Sequence, residues 1–82
     1  MNILILEDEP RNAKRLIRLL NDIDRTFIVE GPLASIKETF EFFQSGKTTD
    51  LILADIRLTD GLSFQALKYA PATVPIIFTT AY

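Results

Sequence analysis

Asp50-Leu51-Ile52-Leu53-Ala54-Asp55 is a short, almost wholly apolar run that starts and stops at a carboxylate. Its length, its Leu and Ile content and its lack of strict alternation predict a strand buried on both faces, as in a parallel sheet covered by helices. Asp55 is then the first polar group past the core. In open α/β sheets the ligand crevice lies outside the carboxyl ends of the strands, so a carboxylate there faces whatever the protein binds. The pattern occurs a second time, where Ile3-Leu4-Ile5-Leu6 runs straight into Glu7-Asp8-Glu9. Two apolar strands that each deliver acids to one edge of a sheet constrain fold and function together.

In chain order, the first strand is expected at Asn2–Leu6, and Pro10 suits the first turn of a helix, where its missing N–H is not needed. That helix is expected over residues 10–22. Ala13, Leu16, Ile17 and Leu20 form one apolar stripe, and Arg11, Lys14, Arg15 and Arg18 form a solvated opposite face. A second strand is expected over residues 26–30, ended by Gly31-Pro32. Ser35 with Glu38 makes a capping-box pattern ahead of a helix over Ile36–Gln44, stopped by Ser45-Gly46, and the Phe40, Phe42 and Phe43 cluster is expected in the core or on a partner surface. The third strand is Leu51–Asp55. Thr59-Asp60-Gly61 is a turn signature with Asp60 as turn former. Ser63 is expected to cap a short helix with Phe64 and Leu67 pointing inward and Pro71 closing it. Residues 74–80 supply a fourth strand, with Pro75 at its entrance. Strict alternation of strands and helices predicts an α/β fold with an open parallel sheet.

Composition narrows the chemistry. A chain of 82 residues is one small domain at most. A formal net charge of −2 supplies no basic field, so direct nucleic-acid contact is not expected. Neither a membrane span nor a signal peptide fits, and a cytoplasmic location is expected. With no Cys and no His, a metal site must be built from oxygen ligands, which favours hard cations. If the first and third strands are neighbours, Glu7, Asp8 and Asp55 converge, and carboxylates that close repel one another unless a cation or protons intervene. Mg²⁺ is the expected ion, because it keeps waters and shares its sphere with phosphate oxygens. Asp55, fixed at the end of a buried strand, is the candidate nucleophile for phosphoryl transfer. Thr80, at the end of the fourth strand, can donate its hydroxyl to a phosphoryl oxygen; Thr79 should face the other way.

Taken together, Ile5-Leu6-Glu7-Asp8-Glu9-Pro10, Asp55-Ile56-Arg57-Leu58-Thr59-Asp60-Gly61 and Pro75-Ile76-Ile77-Phe78-Thr79-Thr80-Ala81-Tyr82 resemble the receiver domain of two-component response regulators. The flavour is similar to receivers that precede LytTR-type DNA-binding domains. The resemblance implies a flavodoxin-like sheet of strand order 2-1-3-4, with the fifth strand and C-terminal helices missing, so that residues 1–82 are the N-terminal portion of the domain. It implies that Asp55 accepts phosphate from a sensor histidine kinase and that Glu7, Asp8, Asp55 and the Arg57 main-chain carbonyl hold Mg²⁺. It further implies that Thr80 is the switch hydroxyl and that Gly61 lets the loop turn tightly. Glu7 departs from the Asp usual in the family but keeps the charge. A transcription-regulating DNA-binding domain is expected elsewhere in the full-length protein.

The absent fifth strand carries the family's phosphate-pairing lysine, and neither Lys47 nor Lys68 takes its place. A non-phosphorylated, receiver-like interaction or dimerisation fragment is therefore the alternative. A homodimer is expected through the exposed fourth strand, because unpaired edge groups invite a second chain. In either case the expected role is signalling rather than enzymatic. An aspartate-nucleophile phosphatase of the haloacid-dehalogenase type would need a second acid two residues after the nucleophile, and Arg57 stands there.

Overall fold

The computed structural model describes residues 1–79. Its elements are β1 (Asn2–Leu6), α1 (Pro10–Ile23), β2 (Ile28–Leu33), α2 (Ile36–Gln44), β3 (Leu51–Asp55), β4 (Arg57–Leu58), β5 (Gly61–Leu62), α3 (Phe64–Leu67) and β6 (Ile76–Thr79). Four strands form a parallel sheet in the order β2-β1-β3-β6. Among the described residues no helix is long and apolar enough to cross a membrane.

Successive side chains of a strand face opposite sides, so a central strand covered on both faces must be apolar at nearly every position. Leu4, Leu6, Ile52 and Ala54 pack on one face with Phe42 of α2, Leu58 of β4 and Leu67 of α3. Ile3, Ile5 and Leu53 pack on the other face with Leu20, and with Leu16 and Ile17 of the same α1 stripe. Apolar runs without alternation are thus what place α1 on one side and α2 with α3 on the other. The carboxylate that opens the third run serves the sheet itself, because Asp50 Oδ2 accepts the Asn2 N–H at 2.7 Å while its own N–H donates to the Asn2 carbonyl at 2.9 Å. β1 and β3 are thereby stapled at the end of the sheet opposite Asp55.

β2 differs from expectation. It begins at Ile28, because the Asp24 carboxylate ties Thr26 into a turn through that residue's N–H and hydroxyl. It also passes through Gly31-Pro32 rather than ending there, and its pairing with β1 shifts register between Leu4 and Leu6. An edge strand tolerates such a kink, since a proline there removes no bond that the sheet interior needs. Gly31 makes it possible: φ is +99°, and a Cβ at that position would lie 2.6 Å from the Ile5 carbonyl oxygen. Gly31→Ala is expected to destabilise the fold by about 2–3 kcal/mol, combining left-handed backbone with a main-chain collision. Urea unfolding measures this directly. Past the kink, Leu33 pairs with Leu6 and its carbonyl accepts the Glu7 N–H at 2.9 Å.

Helix α2 starts as its capping pattern predicts, with Ser35 Oγ accepting the Glu38 N–H at 3.0 Å. Helix α3 does not. The Ser63 side chain makes no cap hydrogen bond, because its backbone is already helical (φ −59°, ψ −26°), and its buried hydroxyl has no partner among the described residues. Phe64 faces outward, 50% exposed, and its ring meets Phe78 edge-on at 5.2 Å, whereas Ala66 and Leu67 fill the core. In a single turn only one side can be buried, and Leu67 with Ala66 takes it. The turn signature at Thr59-Asp60-Gly61 is flanked by a two-residue antiparallel pairing of β4 with β5, which makes Thr59-Asp60 the tip of a small hairpin. β6 begins at Ile76, later than expected, and the Pro75 carbonyl still accepts the Ile52 N–H at 3.0 Å.

Candidate metal centre

β1 and β3 are direct neighbours, with Leu6 opposite Ala54, so the residues that follow each strand emerge side by side. One carboxylate oxygen from each of Glu7, Asp8 and Asp55 lies within 4.8 Å of the others. Two of the three are held by different devices. The Glu7 backbone is tied to the Leu33 carbonyl, and its Oε2 accepts the Glu9 N–H at 3.1 Å. Asp55 is the last residue of β3, half-buried, and paired in register with Thr79 of β6. Asp8 is exposed at the start of the loop into α1.

Glu7 is only 5% exposed, a burial that its place in the sequence did not reveal. Burial is the main force pushing its carboxyl above the usual range; the negative charges of Asp55 and Asp8 add to it, and the Glu9 N–H partly opposes it. Three carboxylates this close need a proton or a cation. An all-oxygen donor set, one buried member and two reachable from solvent fit a hard divalent ion that retains water ligands.

The remaining sequence candidates separate. Arg57 opens β4 two residues past Asp55, with its side chain exposed. Thr80 lies outside the described residues. Asp60, expected as a turn former, does sit at a turn but does more: Oδ1 accepts the Ile36 N–H at 2.6 Å and Oδ2 the Lys37 N–H at 3.2 Å, both from the first turn of α2. Those bonds, that of Ile36 first, hold its carboxyl below the usual range. The capping box at Ser35 covers only one of the free amides at that helix start, which was the available hint that another acceptor must be near.

No protein-family model matches the chain. The sequence is 36% identical over 85 residues to the positive alginate biosynthesis regulatory protein of Pseudomonas aeruginosa, across 100% of this chain and 34% of that protein. It is 40% identical over 83 residues to the phyllosphere-induced regulator PhyR of Methylorubrum extorquens, across 98% of this chain and 30% of that protein. The chain thus spans about a third of the length of these curated relatives. Among solved structures, the MaeR response regulator bound to beryllium trifluoride superposes with a TM-score of 0.83 at 32% identity, covering 100% of this chain and 68% of that one. Likeness of sequence and fold over that share of a response regulator's own length assigns the chain, which belongs to the receiver-domain family of two-component response regulators.

Proposed function

We propose that Asp55 accepts a phosphoryl group from a sensor histidine kinase, with Mg²⁺ held by Glu7, Asp8, Asp55 and the Arg57 main-chain carbonyl. The observation that carries this reading is the convergence of three carboxylates at the ends of two adjacent buried strands. An Asp55 oxygen forms the new O–P bond while the P–N bond of the donor phosphohistidine breaks, and the bonding pair returns to the imidazole nitrogen. Mg²⁺ held by these residues would supply charge neutralisation of the carboxylates and of the transferring oxygens. Glu7 and Asp8 fix the ion's place relative to Asp55, and the β3 backbone fixes the line of attack. Thr80 is assigned as the hydroxyl that senses the modified state. The beryllium trifluoride on the MaeR relative supports the reading, since beryllium completes its tetrahedron with a donor oxygen much as phosphorus does.

The output is assigned to transcription regulation of LytTR type in the cytoplasm on the sequence resemblance; the regulator names and greater length of the curated relatives support a regulatory output. A second reading, an interaction or dimerisation module, is favoured by Ile77 and Phe78 on β6, which are 53% and 41% exposed.

Incubation with acetyl phosphate and Mg²⁺ decides between the two. The expected result is a phosphoryl adduct that mass spectrometry maps to Asp55 and that is lost in Asp55→Asn. Equal labelling of both proteins removes Asp55 as acceptor, and labelling of neither leaves the interaction module.

A further inference from the structure

The hairpin that follows Asp55 is fastened to the start of α2 and the residues just before it by three consecutive residues at its tip. The Thr59 N–H donates to the Ala34 carbonyl at 3.1 Å, and the Asp60 carboxylate accepts the Ile36 and Lys37 N–H groups. Gly61 packs so closely that a Cβ there would lie 2.9 Å from Ile36 Cδ1 and 2.6 Å from Gln65 Oε1. At the base, the Ser63 N–H donates to the Ile56 carbonyl at 2.8 Å, and Leu58 is buried in the core. Arg57 stands between Asp55 and that buried leucine, so its backbone is located by the base of the hairpin on one side and by the tip on the other. Of the tip contacts, only the Asp60 carboxylate is a side-chain group, and it supplies two of the three bonds.

We infer that Asp60 is a positioning residue for the metal centre, holding the Arg57 carbonyl in place by clamping the hairpin tip onto the start of α2. The inference rests on the proposed function, because it needs the ion to be bound there. It also makes the coupling reciprocal: whatever orders the hairpin from the ion side must tighten the clamp, and so protect the first turn of α2.

Mg²⁺ titration of the full chain, followed by calorimetry, tests it with three variants. Asp60→Ala is expected to weaken Mg²⁺ about ten-fold, at the low end of what losing a group that supports a metal ligand costs. Asp60→Asn, whose amide oxygen still accepts from Ile36, should recover much of that loss, and it decides the matter where Asp60→Ala fails to fold. Ser35→Ala removes a cap from the same helix without touching the hairpin and should bind Mg²⁺ like the wild type. In hydrogen exchange, Mg²⁺ should slow the Ile36 and Lys37 amides of the wild type but not those of Asp60→Ala. Unchanged affinity in Asp60→Ala, or an equal loss in Ser35→Ala, overturns the positioning role while leaving the metal reading intact. A wild type that binds no Mg²⁺ overturns both, and the wild-type titration by itself separates the two failures.

Discussion

Ile52→Ala is expected to remove about 3–4 kcal/mol of stability, within the range for truncating a fully buried isoleucine. Ile52 has no exposed surface and sits mid-strand in β3, between Leu4 of β1 and Ile76 of β6 in register. Its side chain faces the layer built from Leu6, Phe42, Leu58 and Leu67, where removing three carbons leaves a cavity that strands paired on both sides cannot collapse to fill. A domain this small has little stability to spare, so the midpoint of thermal unfolding should fall by roughly 15 °C or more. Ile77→Ala is the matched control: the same truncation at a neighbouring, 53% exposed position should change stability by no more than about 0.5 kcal/mol. Denaturant unfolding of the pair measures the difference. Equal losses at both positions would mean that β3 is not a covered central strand.

The second large effect belongs to Glu7. Because its carboxyl is pushed above its ordinary value of 4.5, the folded state holds the Glu7 proton more tightly than the unfolded chain does. Stability from that source is fully present below 4.5 and is lost as pH rises through the folded-state value. Above the folded-state value the metal-free protein therefore carries a destabilising, ionised, buried glutamate beside two other carboxylates. Glu7→Gln removes the charge while keeping the shape. The metal-free variant should melt higher than wild type at a pH above the folded-state value and lose the pH-dependent decline, while its Mg²⁺ affinity drops by about a hundred-fold, the top of the range for damaging a metal's supporting groups and modest for a direct ligand. Thermal melts across pH, with and without Mg²⁺, read both consequences. A variant that melts lower than wild type without metal would show that Glu7 is held by favourable contacts rather than by conflict.

Much of this was legible in the chain itself, for identifiable physical reasons. β1, α2 and β3 lie at the expected bounds because unbroken apolar runs and a capping box are local signals. α1 does too, apart from one further residue, Ile23. The convergence of Glu7, Asp8 and Asp55 follows from strand adjacency, which local pattern alone could only suppose. What escaped was non-local. Gly31-Pro32 looks like a terminator until the Ile5 carbonyl beside it shows a strand bending to keep its pairing. Asp60 has the composition of a turn and the additional duty of capping a helix that begins twenty-four residues earlier in sequence. Phe64 has the hydrophobicity of a core residue, but its one-turn helix has only one buried side, and Ala66 and Leu67 occupy it. The exposure of Phe64 and the burial of Glu7 both depend on which neighbours the fold brings up, and neither set of neighbours is adjacent in sequence.

The most direct test is an NMR titration of the wild-type chain with Mg²⁺. Saturable binding of a single ion is expected, with the largest shifts at Glu7, Asp8, Asp55 and Arg57 and a smaller response at Ile36 and Lys37. Shifts that do not saturate, or that centre away from the carboxyl ends of β1 and β3, would contradict a metal centre built from these carboxylates.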